Sequence, residues 1–241
     1  MKAQTLRYTV HNTEFYSHLC LPENINGKLP AILVFPEWWG LSEHAKNSAA
    51  RLAEHGYIAL AVDLYGNAVL TDQASQAAQM MNDTLSNPTI LLERTEAALT
   101  QLQKLPETDA TRIAAIGFCF GGRVALDMAR RGAAIHAVTS FHGNLIPQVA
   151  RAQKGKIQAT ILVEHGGKDT LVSAEHVADF RAEMDTAGAK YHVDIFPEAH
   201  HGFTNPQATA NGEKNGVDLA YDQQAATQSW ANMLAFLQNE L

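Results

Sequence analysis

A cysteine flanked by glycines is the most chemically suggestive feature of the sequence. Cys119 lies in the segment GFCFGG, residues 117–122, which has the pattern Gly-x-nucleophile-x-Gly with cysteine in the position that serine usually occupies. An apolar run, residues 112–116, precedes this segment, and helix-forming residues 123–130 follow it. The glycines permit a strained turn between strand and helix that presents the nucleophile. The pattern therefore predicts acyl transfer through the Cys119 thiolate, with a buried core thiol as the alternative.

Two candidate catalytic partners follow Cys119 in the chain. A thiol nucleophile needs a base to ionise it and a third group to orient that base. Asp169 and His201 each come after an apolar, strand-like segment, and sites form where the carboxyl ends of parallel strands meet. We therefore predict that Asp169 is the acid and His201 the base. Asp63 precedes Cys119 and is the competing candidate for the acid, whereas His200 is interpreted as a solvent-facing loop residue.

A carboxylate at the end of the first buried strand is a further candidate. Glu37 would lose hydration there unless it is paired, so it is either a site residue or an exposed loop acid. The loop after this strand commonly supplies one backbone N–H group of an oxyanion hole, and the residue after the nucleophile supplies the other. These donors would be Trp38 and Phe120. Three further residues are candidates for lining the substrate pocket, with the core as the alternative for the tryptophan: Trp39, His142 and Phe203.

The rest of the chain supplies the elements that must position these residues. Predicted strands cover residues 8–10, 15–21, 31–35, 57–63, 112–116, 135–141, 157–163 and 191–196. Predicted helices cover residues 43–55, 88–104, 123–130, 174–186 and 221–238. A turn at Asn12 and Thr13 joins the first two strands, and the polar segment 66–87 is a candidate cap over the site. The alternation predicts an α/β fold, with a mostly parallel sheet and helices on both faces, in one domain over residues 1–241.

Composition narrows the classes of partner. The chain has 241 residues, of which 46% are hydrophobic, and a formal net charge of -7 without any basic run, which argues against nucleic acid. No stretch reaches the roughly 18 apolar residues of a membrane span, and the N-terminus lacks the apolar region of a signal peptide. A disulfide between Cys20 and Cys119 is possible. A cytoplasmic location is the simpler expectation, because it keeps Cys119 as a free thiol and leaves Cys20 in the core.

Taken together, these motifs resemble the dienelactone hydrolase family of α/β-hydrolases. The resemblance extends over residues 31–237 and includes Gly-x-Cys-x-Gly-Gly at 117–122, Gly-x-Asp at 167–169 and His-Gly-Phe at 201–203. The Pro-Glu pair at 36–37 matches the glutamate at the end of a strand in that family. The resemblance implies an α/β-hydrolase fold for this chain.

The resemblance also implies a role for each candidate. Cys119 would be the nucleophile, His201 the general base and acid, and Asp169 the acid that orients the histidine. Glu37 would engage the Cys119 thiol in the resting enzyme and help to deprotonate it when substrate binds.

The sequence departs from the enzymes after which the family is named. Those enzymes hold the carboxylate of their substrate with arginines, one of them shortly after the catalytic histidine. Here residues 204–206 read Thr-Asn-Pro, and residues 72–87 contain no arginine. Because asparagine does not reproduce the bidentate contact of arginine with a carboxylate, we do not expect dienelactone to be the natural substrate. A more apolar pocket is expected.

Four functional hypotheses follow from these residues. The leading one is a cysteine-dependent hydrolase of carboxylic esters or lactones that needs no cofactor, acts on a small molecule and is a monomer or small homo-oligomer. The second is hydrolysis of phosphotriesters at the same site. The third is a metal-dependent hydrolase, suggested by the eleven histidines but not by any His-Glu-x-x-His spacing. The fourth is a non-catalytic binding protein on the same fold.

Overall fold

The chain divides into two compact units, residues 1–115 and 116–241. The computed structural model describes residues 1–148 and 150–241. Strand β5 (Thr108–Phe118) begins in the first unit and ends in the second. That residues 1–241 form one domain stays a prediction.

Strands of both orientations form the sheet of the first unit. In chain order this unit contains β1 (Lys2–Val10), β2 (Thr13–Leu21), β3 (Leu29–Phe35), α1 (Glu43–Glu54), β4 (Ile58–Ala61), α2 (Ala74–Leu85), α3 (Pro88–Gln103) and the start of β5. The strand order is β1-β2-β4-β3, with β3 and β4 parallel and the other pairs antiparallel. Val10 pairs with Thr13, so the first turn consists of His11 and Asn12, one residue earlier than predicted. The physical reason is that His11 adopts a left-handed φ of 51°.

Local sequence explains the helices of this unit. Helix α1 buries small and apolar side chains on one face and ends before Gly56, whose φ is 90°, as predicted. Helix α3 begins at Pro88, and the Asn87 side chain accepts a hydrogen bond from the Ile90 N–H. Helix α2 lies within the segment 66–87, for which we predicted no helix. Alanine, glutamine and methionine dominate α2, and all three are strong helix formers.

Parallel strands dominate the second unit. After the end of β5 it contains α4 (Phe120–Arg130), β6 (Ala137–Phe141), β7 (Thr160–Gly166), α5 (Ala174–Ala187), β8 (Tyr191–Phe196), α6 (Ala208–Asn215) and α7 (Gln223–Glu240). The strand order is β5-β6-β7-β8, and the pairs β6–β7 and β7–β8 are parallel. Strand β7 begins and ends three residues later than the predicted 157–163. Helix α6 was not predicted, because it is short and contains Gly212, a poor helix former.

A buried ion network anchors helix α4. The Arg130 guanidinium donates to Asp127 Oδ1 at 2.9 Å, to Glu183 Oε2 at 2.9 Å and to the Leu145 carbonyl at 2.6 Å. All three charged side chains are buried. The network therefore ties α4 to α5 and to the segment after β6. Helix α4 begins directly after Cys119, so the network also fixes the helix that follows the candidate nucleophile.

Candidate active site

Cys119 occupies a sharp turn between β5 and α4. Its φ of 52° and ψ of -114° lie outside the conformations that non-glycine residues ordinarily adopt. Its N–H donates to the Phe141 carbonyl at the end of β6, at 3.0 Å. Such strain persists only where surrounding contacts hold it, and it is found preferentially at functional sites.

The glycines around Cys119 are required by close backbone approach. A Cβ atom on Gly117 would lie 2.0 Å from the Gly121 carbonyl oxygen. A Cβ atom on Gly122 would lie 2.6 Å from Ser140 Oγ and 2.9 Å from Gly143 Cα. The Gly-x-Cys-x-Gly-Gly pattern is therefore required by a turn in which the start of α4 lies close to the end of β5.

Asp169 and His201 lie together in the second unit. His201 Nδ1 is 2.8 Å from Asp169 Oδ2, and both side chains are buried. The other carboxylate oxygen, Asp169 Oδ1, accepts the N–H groups of Leu171 at 2.8 Å and Val172 at 2.9 Å. Because three donors hold the carboxylate, it can fix both the orientation and the tautomer of the imidazole.

Backbone hydrogen bonds join the loops that carry these two residues. The Gly167 N–H donates to the Phe196 carbonyl at 2.7 Å, and the Lys168 N–H donates to the Ala199 carbonyl at 2.9 Å. A Cβ atom on Gly166 would lie 2.6 Å from the Ala199 oxygen. Glycine at this position lets the loop after β7 and the loop after β8 approach closely enough for the Asp169–His201 bond.

The electrostatics of His201 connect it to Cys119. Burial by itself would lower the pKa of the His201 imidazole, but the charge of the Cys119 thiolate and the hydrogen bond to Asp169 outweigh burial and raise that pKa to about 10. Within the described part of the chain, His201 Nε2 has no hydrogen bond of ordinary geometry.

The two competing residues have other partners. His200 Nδ1 lies 3.1 Å from Asp218 Oδ1, and the His200 side chain is 36% exposed, so it is partly solvent-facing as predicted. Asp63, in the first unit, accepts hydrogen bonds from the N–H groups of Tyr16, Gly66 and Ala68. The Asp63 carboxylate is thereby committed to holding the backbone after β4.

In the interior of the second unit, His142 packs against His201, and Phe203 packs against His142. The His142 ring centroid is 5.1 Å from that of His201 and 5.3 Å from that of Phe203. His142 Nε2 is 2.8 Å from Thr204 Oγ1, and His142 has a left-handed φ of 40°. Both rings are fully buried, so His142 supports the His201 imidazole and Phe203 in turn supports His142. Whether they also line a substrate pocket stays a prediction.

The first-unit candidates form a compact group of their own. Glu37 is only 4% exposed, so the interpretation of an exposed loop acid is wrong. His44, which no sequence motif indicated, places its Nδ1 3.6 Å from Glu37 Oε2. The Trp38 and Trp39 rings are 4.9 Å apart, and the Tyr65 hydroxyl donates to the Trp38 carbonyl at 2.8 Å. Trp39 is buried, which favours the core alternative for it.

The match to a family model decides the class of protein. The model of the dienelactone hydrolase family matches residues 15–241. The chain belongs to the dienelactone hydrolase family. This match confirms the family that the sequence motifs indicated. It also confirms the predicted enzyme class, a hydrolase of ester bonds.

Relatives of known structure confirm the fold of this family member. A solved structure named m3DLH is 37% identical, covers 100% of this chain and 98% of its own, and has a TM-score of 0.93. A dienelactone hydrolase-like promiscuous phosphotriesterase, P91 from metagenomic libraries, is 36% identical with a TM-score of 0.93, over 99% of this chain and 98% of its own. The predicted α/β-hydrolase fold, with its mostly parallel sheet and helices on both faces, is therefore confirmed.

A curated relative carries a lactonase name. A Bradyrhizobium sp. protein called probable 2-oxo-3-(5-oxofuran-2-ylidene)propanoate lactonase is 29% identical to this family member over 222 residues. The match covers 88% of this chain and 85% of the relative. The two proteins are therefore similar over most of their lengths.

The described residues contain no metal-binding group, membrane-spanning helix or disulfide. Among residues 1–148 and 150–241, no three His, Cys, Asp or Glu side chains are grouped so as to hold a metal ion. No helix in the same part of the chain is both long and apolar enough to cross a membrane. Cys20 and Cys119 are both free thiols, so the disulfide that composition left open is not formed.

Proposed function

We propose that this protein is a cysteine-dependent hydrolase of carboxylic esters or lactones, with Cys119 as nucleophile, His201 as base and Asp169 as orienting acid. The observation that carries the proposal is the buried His201–Asp169 bond of 2.8 Å, together with the rise in the His201 pKa that the Cys119 charge produces. A nucleophile, a base that responds to its charge and a group that orients the base are the parts that covalent acyl transfer needs.

The proposed reaction passes through a thioester. The Cys119 thiolate attacks the carbonyl carbon, which forms a C–S bond and an oxyanion. When the oxyanion collapses, the C–O bond to the alcohol breaks, and His201 gives its Nε2 proton to the leaving oxygen. Neutral His201 then takes a proton from water, which attacks the thioester. The C–S bond breaks, the carboxylic acid leaves, and the thiolate–imidazolium pair is restored.

Backbone N–H groups of Trp38 and Phe120 are proposed to hold the oxyanion. Phe120 is the first residue of α4, so its N–H belongs to a helix N-terminus, where the partial positive charge favours an anion. The role of Trp38 rests on the position of its loop after β3. The role of Glu37, to engage the Cys119 thiol at rest and to assist its deprotonation, rests on the family resemblance and is supported by its low exposure.

Lactones and neutral esters are the favoured substrates for a specific reason. The similar Bradyrhizobium protein is named a lactonase, which supports a cyclic ester, but the substrate in its name carries a carboxylate, so the absence of that group is argued from this chain's own residues. The loop after His201 continues Thr204-Asn205-Pro206, without an arginine that could pair with a substrate carboxylate. We therefore propose esters and lactones that lack a carboxylate next to the scissile bond. A cytoplasmic location is proposed with them, because a reducing compartment keeps Cys119 free.

Phosphotriester hydrolysis is the second candidate function. The observation that favours it is the 36% identity to the dienelactone hydrolase-like promiscuous phosphotriesterase P91. In this version the Cys119 thiolate attacks phosphorus and displaces an alkoxide or aryloxide, and a water activated by His201 then breaks the S–P bond. The same residues serve both reactions, so relative kcat/KM on the two substrate classes decides between them.

The first experiment compares wild type with Cys119→Ala and Cys20→Ala on p-nitrophenyl butyrate, dihydrocoumarin and paraoxon. We expect Cys119→Ala to lose at least about 1,000-fold in kcat/KM, because no other group can form the covalent intermediate. Cys20→Ala is the matched control and should retain turnover, because Cys20 is a core residue of β2. Undiminished turnover by Cys119→Ala on every substrate would refute the proposed nucleophile.

Alkylation separates the two thiols without a substrate. Burial raises the pKa of the Cys20 thiol to about 11, so it stays protonated and unreactive near neutral pH. Iodoacetamide should therefore modify Cys119 alone, which peptide mass spectrometry would show. Equal labelling of both cysteines in the folded protein would contradict this assignment.

A further inference from the structure

Two residues adjacent in sequence to the catalytic candidates bind one carboxylate. Thr170 follows Asp169, and its Oγ1 donates to Asp218 Oδ2 at 2.6 Å. His200 precedes His201, and its Nδ1 lies 3.1 Å from Asp218 Oδ1. The Asp218 side chain therefore contacts both the loop after β7 and the loop after β8. In each loop, the residue that it contacts is the sequence neighbour of a catalytic candidate.

The backbone around Asp218 follows the same loop. The Ala220 N–H donates to the His201 carbonyl at 3.2 Å, and the Asp222 N–H donates to the Phe203 carbonyl at 3.1 Å. Residues 217–222, between α6 and α7, therefore run alongside the loop that carries the base. Asp218 is placed by this segment, and its contact with Thr170 reaches across to the other loop.

We propose that Asp218 is a positioning residue that clamps the loop carrying Asp169 to the loop carrying His201. This inference rests on the proposed function, and it assigns His200 to the clamp rather than to proton transfer. The hydrogen bonds of the Asp218 side chain go to Thr170 and His200, and its charge interacts with His201 only through space. Asp218 acts by limiting how far the two loops can separate, and therefore how far the Asp169–His201 bond can lengthen.

The effect of the clamp is on alignment rather than on global stability. The side chains of His200 and Asp218 are 36% and 41% exposed, and exposed pairs contribute little to the free energy of unfolding. Catalytic geometry is more sensitive, since a displacement of about 1 Å can cost on the order of 100-fold in rate. Loss of the clamp should therefore lower kcat and leave the melting temperature nearly unchanged.

The test uses Asp218→Ala, Asp218→Asn and Thr170→Val in the full-length protein, assayed on p-nitrophenyl butyrate. We expect Asp218→Ala to lower kcat by roughly 5- to 20-fold with KM within about twofold, and Thr170→Val to lose about 2- to 5-fold. Asp218→Asn keeps an acceptor for Thr170 and a polar group for His200, so it should recover most of the kcat. The double variant Thr170→Val/Asp218→Ala should be no worse than Asp218→Ala, because both changes remove one contact network.

A second measurement needs no substrate. In the wild type, the pH dependence of Cys119 alkylation by iodoacetamide reports how well His201 stabilises the thiolate. Asp218→Ala should shift the midpoint upward by about half a pH unit or more, because a looser Asp169–His201 bond supports the imidazolium less well. A shift supports the clamp even if Cys119→Ala retains turnover, so the two proposals can fail separately.

Asp185→Ala is the matched control. Asp185 lies near the end of α5, and its carboxylate accepts a hydrogen bond from the Tyr191 hydroxyl at 2.8 Å. Tyr191 is the first residue of β8, whereas the loop that carries His201 follows the other end of that strand. Asp185→Ala should change neither kcat nor the alkylation midpoint. An Asp218→Ala variant that matches this control in both measurements would overturn the proposal.

Discussion

A carboxyl group buried without a hydrogen bond should make the stability of this protein fall as the pH rises. Glu164 is fully buried in β7, and in the described part of the chain neither of its carboxyl oxygens has a hydrogen-bond partner. Asn232 lies nearby on α7, but its amide donates to Asp194 Oδ2 at 3.2 Å instead. Burial, and then the charge of Asp194 on the paired strand β8, raise the pKa of Glu164 from 4.5 to about 9, and they outweigh the lowering effect of the nearby Asn232 amide.

The sign and size of the effect follow from this pKa. The folded protein binds the Glu164 proton more tightly than the unfolded chain does, so the stabilisation is complete below pH 4.5 and is lost as the pH rises toward about 9. Each pH unit in that window costs about 1.4 kcal/mol. Between about pH 5 and about pH 7 the loss is therefore about 3 kcal/mol, a large fraction of the stability of an ordinary domain.

Glu164→Gln removes the titration and keeps the shape of the side chain. We expect the variant to match the wild type near pH 5 and to exceed it by about 3 kcal/mol near pH 7, because glutamine carries no charge to bury. Urea unfolding monitored by tryptophan fluorescence over this pH range measures the difference. Glu213→Gln, an exposed glutamate on α6, is the control and should show no such divergence. If the free energies of unfolding of wild type and Glu164→Gln keep a constant difference across the range, the reasoning is refuted.

Two further predictions concern the elbow and the ion network. Gly117→Ala should lower kcat/KM by at least about 100-fold, since its Cβ would lie 2.0 Å from the Gly121 oxygen. Gly155→Ala is the control, because a Cβ atom there would meet no atom within 4 Å. The left-handed backbone at Gly155 should make this variant cost only about 1 kcal/mol in unfolding free energy. Equal activity of the two variants would contradict the steric argument. Arg130→Met should cost about 3–5 kcal/mol, measured by urea unfolding, because it leaves two carboxylates buried without their cation. Arg112→Met is the control: it breaks the partly exposed ion pair with Asp109 and should cost under about 1 kcal/mol in unfolding free energy. A similar loss of stability in both variants would contradict the argument from burial.

The class of the fold and the order of its candidate residues could be read from local sequence. A buried parallel strand is a continuous apolar run, so β3 was predicted to within two residues of its bounds. Strand β8 was predicted with the correct bounds from its aromatic and β-branched residues, although only Val193 in it is buried. The glycines around Cys119 indicate the elbow because only glycine tolerates the backbone approach at Gly117 and Gly122. These are short-range properties, and the residue types within a few positions determine them.

Contacts between distant segments could not be read in the same way. The burial of Glu37, the contact of Asp218 with Thr170 and His200, and the lack of a hydrogen bond at Glu164 depend on which segments pack together. Carboxylates in a sequence look alike whether they end in water or in the interior, because burial and charge are summed over residues far apart in the chain. The sequence alone therefore determined the fold class and family, and it predicted the chemistry that we propose for Cys119. Only the tertiary structure decided the environment of His201, whose burial, bond to Asp169 and nearness to Cys119 together set its proton affinity.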